Sequence, residues 1–69
     1  MDVIKLRGEY IKLGQALKAA RFVSSGVEAK VLILDGKVKV NGEVCLQRGK
    51  KLVGGDSFEF GGNIVKIEN

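Results

Sequence analysis

Histidine and proline are absent from this 69-residue chain, cysteine occurs once, at Cys45, and aromatic residues make up only 6% of it. Each shortage excludes something. With no imidazole and a single thiol, the common general-base, nucleophile–base and zinc-ligand chemistries lack their parts. One cysteine can build neither an internal disulfide framework nor a multi-cysteine zinc site; Cys45 is expected to be a small hydrophobe in a sheet. No run approaches the roughly 18 apolar residues of a membrane span, and no basic-then-apolar leader opens the chain. A chain of this length allows one domain, spanning residues 1–69, and buries only about 60% of the surface it exposes unfolded. Its core must be thin. The expectation is a reduced, cytoplasmic binding module with no catalytic residue, no metal and no cofactor, acting as a monomer away from membranes.

Charge is what the chain does have. Twelve Lys and Arg stand against eight Asp and Glu, a formal net of +4. The excess is uneven. Residues 37–51 carry Lys37, Lys39, Arg48, Lys50 and Lys51 against Glu43 alone, whereas residues 52–69 carry Lys66 against Asp56, Glu59 and Glu68. A basic middle beside an acidic tail points to one positive face, and a polyanion is its natural partner.

Ten glycines punctuate the chain in place of proline. Residues 3–7, rich in apolar and β-branched side chains, predict a short strand ending at Gly8. From Lys12 the period changes. Leu13, Ala16, Leu17, Ala20 and either Phe22 or Val23 follow the spacing of an amphipathic helix, with Lys12, Gln15 and Lys18 forming a polar row on its other side. Gly14 costs that helix about 1 kcal/mol relative to Ala. Ser25 and Glu28 fit a capping box, opening a second helix from Gly26 to Leu34 that Gly36 ends in a left-handed conformation. Its inward residues are Ala29, Leu32 and Ile33, with Lys30 and Val31 outward. A joint of about two residues between the helices is expected. Val38 and Val40 alternate with Lys37 and Lys39 as in a half-buried strand, placing the two lysines on one face about 7 Å apart. Asn41-Gly42 supplies a type I′ turn, Gly54-Gly55-Asp56 another, and residues 57–60 and 64–67 read as strands. Strand, two helices and a small antiparallel sheet make an α+β fold.

Four pieces in this order carry a family resemblance. They are Ile-x-Leu-x-x-x-Leu at residues 11–17, Ser-Ser-x-x-Glu-Ala-Lys at 24–30, Gly-x-Val-x-Val-Asn-Gly-Glu at 36–43, and a basic stretch at 48–51 closed by Gly55-Asp56. Over about residues 11–60 the chain resembles the RNA-binding domain named after small-subunit ribosomal protein four, the S-four domain, in the free-standing form of small bacterial proteins. The resemblance implies an αL-type motif in which two helices and the following hairpin form one RNA-binding surface, with ribosomal or transfer RNA as the expected partner. Carried over position by position, it implies contacts from Lys12, Gln15 and Lys18, from Ser25 and Lys30, and from Lys37, Lys39, Asn41, Arg48, Lys50 and Lys51. Two departures remove positive charge from the second helix: Gly26 stands where many members have Arg, and Val31 where many have a second basic residue.

Each of these residues also has a plainer role. Lys37 and Lys39 could guard a sheet edge, Asn41 and Gly42 are turn residues first, and Glu28 is a cap. Tyr10, Phe22, Phe58 and Phe60 are expected in the core, being too few and scattered for the aromatic face of a single-strand binder. Structured RNA, read by shape and backbone charge, fits that pattern, although phosphate charge alone does not separate RNA from DNA. Two other readings, of different classes, stand beside this one. Residues 37–60 also look like the end of a β-grasp sulfur carrier or a protein-interaction module, but Gly61-Gly62 is not terminal as that chemistry requires. An enzyme is the third possibility, as a fragment of a pseudouridine synthase, many of which carry an S-four domain, although nothing resembling their catalytic domain is present.

Overall fold

Side-chain alternation and a few left-handed turns shape the backbone seen in the computed structural model, which describes residues 2–69. β1 (Asp2–Lys5) opens the chain, and a short β2 (Ile11–Lys12) leads straight into α1 (Leu13–Ala19), followed by α2 (Gly26–Leu34). β3 (Val38–Val40) and β4 (Glu43–Val44) form a hairpin. β5 (Lys51–Leu52) is another two-residue strand, and β6 (Ser57–Phe60) and β7 (Asn63–Glu68) complete the fold. Five strands make one sheet in the order β1-β7-β6-β3-β4, while β2 and β5 pair separately as an antiparallel ribbon. The α+β class is as expected, but the main sheet is mixed. β1 runs parallel to β7, with Val3 beside Lys66 and Ile4 beside Ile67. Parallel strands need a long crossover; here everything between residues 5 and 63 serves as one.

Helix ends explain where the chain turns. α1 stops in a Schellman motif built without glycine: Arg21 takes a positive φ of 64°, its N–H donates to the Lys18 carbonyl at 3.0 Å, and the Phe22 N–H donates to Leu17 at 3.1 Å. The helices are consequently joined through residues 20–25, a longer joint than the sequence spacing predicts. Ser25 caps α2 as expected, its hydroxyl oxygen accepting from the Glu28 N–H at 3.2 Å. The Glu28 carboxylate reaches one residue further than in a capping box, to the N–H and hydroxyl of Ser24. Gly36, at φ 76°, ends α2, with Gly36 N–H donating to Ile33 and Lys37 N–H to Leu32.

The core lies between the helices and one face of the sheet. Leu13, Ala16 and Leu17 of α1 and Ala29 and Ile33 of α2 pack with Val38, Val40, Leu52, Phe58, Val65 and Ile67, all buried. Beyond α1, Val23 is buried and Phe22 half-buried, its ring 6.2 Å from Phe58 and 5.6 Å from Phe60. Because side chains alternate along a strand, Lys39, Glu59, Ile64 and Lys66 face the opposite side of the sheet. The outer surface of α2 exposes Val27, Val31 and Leu34.

Candidate nucleic-acid interface

A loop after the hairpin is stitched to the start of α1. Two amides that a helix N-terminus leaves without intrahelical partners are taken by that loop: Leu13 N–H donates to the Lys50 carbonyl at 2.9 Å and Gly14 N–H to Arg48 at 3.1 Å. The Gln15 side-chain oxygen accepts from the Lys12 N–H at 3.2 Å, leaving its amide N–H groups to donate outward. Gly14 explains itself here. A Cβ at that position would lie 2.9 Å from Arg48 Cγ and 3.7 Å from the Arg48 carbonyl, so only glycine lets the arginine stem lie across the helix. The result is an open concavity of about 310 Å³, with Lys12, Gln15, Lys18 and Arg48 around a floor of Gly14, Gly26 and Gly49. Lys30 follows Gly26 by one turn on the same side of α2, outside the residues that line the concavity.

The β2–β5 ribbon adds another cation. Lys12 and Lys51 stand directly opposite one another, an arrangement that destabilises a strand pair through like-charge repulsion. Among the described residues the one ion pair joins Lys37 to Asp35 at 3.9 Å, so no carboxylate neutralises Lys12, Lys18, Arg48 or Lys51. Tyr10, expected in the core, lies outside it. The residue is 41% exposed, and its ring carries the Lys51 ammonium 4.8 Å from the centroid. The signal that separates Tyr10 from the other aromatics is the pairing of β2 with a strand distant in sequence, which no local pattern announces.

Other expected contributors go elsewhere. Lys37 lies before β3 rather than on it, at the far end of α2 from Gly26, about 13 Å away along a nine-residue helix. Lys39 projects from the sheet face turned away from the helices and sits in register with Glu59. The two lysines therefore stand apart from the helix cluster. Asn41 is occupied at both ends of its carboxamide: its N–H donates to Asp56 Oδ1 at 3.1 Å, and its oxygen accepts from the Ser57 N–H at 2.9 Å. Asn41 and Gly42 do supply the expected turn, at φ 51° and 87°. Lys50 opens onto a second concavity, of about 410 Å³, beside Asn41, Glu43 and Gln47. The Val53 N–H, donating to Asp56 Oδ2 at 2.8 Å, and then Asn41 hold the Asp56 pKa below the ordinary aspartate value, Lys50 adding a smaller favourable field.

A helix pair braced by a hairpin loop, with unpaired cations gathered where they meet, defines a class. The chain belongs to the S4 domain family, the S-four domain of the resemblance above, whose model matches residues 4–68. It is similar to the Escherichia coli protein named "Putative RNA-binding protein YbcJ", at 34% identity over 58 residues, 84% of this chain and 83% of that one. The solution structure of YbcJ, described as revealing an αL motif involved in RNA binding, superposes with a TM-score of 0.75 at 31% identity, covering all of this chain and 89% of YbcJ. The "Probable ribosome maturation protein RlbA" of Bacillus subtilis is 42% identical over 59 residues, 86% of this chain and 83% of RlbA. The large-subunit pseudouridine synthase B of the same bacterium matches at 46% identity over 46 residues, which is 67% of this chain but 18% of that enzyme. The family assignment leaves the sulfur-carrier resemblance without support.

Proposed function

We infer that this chain is a non-enzymatic cytoplasmic module that docks on structured RNA, with ribosomal RNA the first candidate and transfer RNA the second. The carrying observation is the concavity where Lys12, Gln15, Lys18 and Arg48 meet over three glycines, joined by Lys51 across the ribbon. Like charges left opposed and unneutralised cost stability, and phosphate is the ligand that removes that cost. A glycine floor suits close approach of a backbone. The name of YbcJ and the description of its structure support RNA as the polyanion, and the ribosome maturation role in the name of RlbA favours ribosomal RNA. The contact set proposed is Lys12, Gln15, Lys18, Lys30, Arg48 and Lys51. Ser25 and Asn41 build the frame, and Lys50 lies at the border.

The test is the salt dependence of binding to a structured ribosomal RNA fragment. If about four phosphates are neutralised, log affinity falls with log salt at a slope on the order of −3 to −4. The Lys12→Ala, Lys18→Ala, Arg48→Ala triple variant is expected to bind at least about tenfold more weakly, with a flatter slope and an unchanged melt. Equal binding by wild type and triple variant would sink the assignment.

A further inference from the structure

We propose that Tyr10 is a stacking platform for an unpaired nucleobase, so that the preferred ligand of the basic cluster is an RNA helix carrying an unpaired nucleotide. The proposal rests on the RNA-binding reading and narrows it. Tyr10 stands apart from the other aromatics: Phe22 packs against Phe58 and Phe60 at the edge of the core, while Tyr10 lies outside it. Its ring is instead engaged by Lys51, which itself faces Lys12 across the ribbon. A partly exposed aromatic residue thus sits beside the Lys51 ammonium, two residues before Lys12, which lines the cationic concavity. A nucleotide has the matching arrangement, a flat base next to a phosphate.

In the free protein the Lys51 ammonium occupies the ring face through a cation–π contact. A nucleotide supplies a better partner to both groups: its phosphate takes the ammonium, and its base takes the ring. Every base has a π-face, so such a platform reads the unpaired state and not the sequence. A fully paired duplex keeps its bases in the stack and offers none, while still presenting phosphates to Lys12, Lys18 and Arg48.

The chain holds one tyrosine and no tryptophan, so its intrinsic fluorescence reports on Tyr10 alone. The probes are a short RNA duplex with a single-nucleotide bulge and the same duplex without it, with affinities read by anisotropy of labelled RNA. The bulged duplex is expected to quench the tyrosine emission and to bind about tenfold more tightly than the paired one. Tyr10→Phe keeps that preference, whereas Tyr10→Leu abolishes it and leaves affinity for the paired duplex within about twofold. Equal wild-type affinity for the two duplexes, or a preference that survives Tyr10→Leu, overturns the platform while the RNA-binding reading stands. No binding to either duplex at low salt overturns both.

Discussion

At Gly14, helix propensity and close packing pull in opposite directions. An Ala there removes a flexibility cost of about 1 kcal/mol, yet its Cβ would meet Arg48 Cγ at 2.9 Å. The arginine is the softer of the two, because its stem can swing away while the helix backbone cannot. Gly14→Ala is therefore expected to hold or slightly raise Tm in a thermal melt and to lower RNA affinity to about that of Arg48→Ala. Unchanged affinity would show that the arginine does not act from its place across α1. Arg21 poses the converse case. An L-residue with a side chain held at φ 64° costs about 1 kcal/mol that glycine avoids, partly offset by the greater freedom of glycine in the unfolded chain. Arg21→Gly should raise stability by about 0.5 kcal/mol in urea unfolding, and a loss would mean that the arginine side chain makes a compensating contact.

Elements were legible in the sequence where a local device sets them. α2 has both ends marked, Ser25 at the start and Gly36 at the finish, and its range from Gly26 to Leu34 could be read outright; the β3–β4 turn was equally plain from Asn41-Gly42. α1 was read too long because its stop uses Arg21, and arginine carries no expectation of a left-handed turn. β2 and β5 were missed because two residues pairing with two others, far apart in sequence, leave no periodicity. The cap makes a direct test: Ser25→Ala should cost about 1 kcal/mol, measured by denaturant melt, through the lost bond to the Glu28 N–H. Asp56 makes another. It clasps the hairpin turn through Asn41 and the β5–β6 turn through Val53, and its pKa in the folded protein is lowered. A lowered folded-state pKa means the contribution is present above about pH 4 and is lost as pH falls through the folded value. Wild type should lose stability over that acid range more steeply than Asp56→Asn, with parallel acid titrations of the two proteins as the check.

Over the whole molecule, the basic residues divide by face, a division the sequence could not display. The charge window at residues 37–51 treats Lys37, Lys39, Arg48, Lys50 and Lys51 as one cluster, but folding separates them. Arg48 and Lys51 turn toward α1 and β2, where Lys12 and Lys18 already stand. Lys39 is carried by strand alternation to the outer face of the sheet beside Glu59, and Lys37 pairs with Asp35 at the far end of α2. What survives from the linear pattern is the part fixed by the loop carbonyls that cap α1. Two double variants with the same loss of net charge separate a localised site from general attraction. If binding followed net charge, Lys12→Ala with Lys18→Ala and Lys37→Ala with Lys39→Ala would weaken it equally, each by the same long-range field. If phosphates sit in the concavity, the first pair removes close contacts and flattens the salt slope by about one unit per phosphate lost. The second pair then changes only the screened background and leaves the slope within error of wild type. The measurement is affinity for one structured RNA across a salt series, and equal slopes for the two double variants would return the interface to a diffuse charge effect.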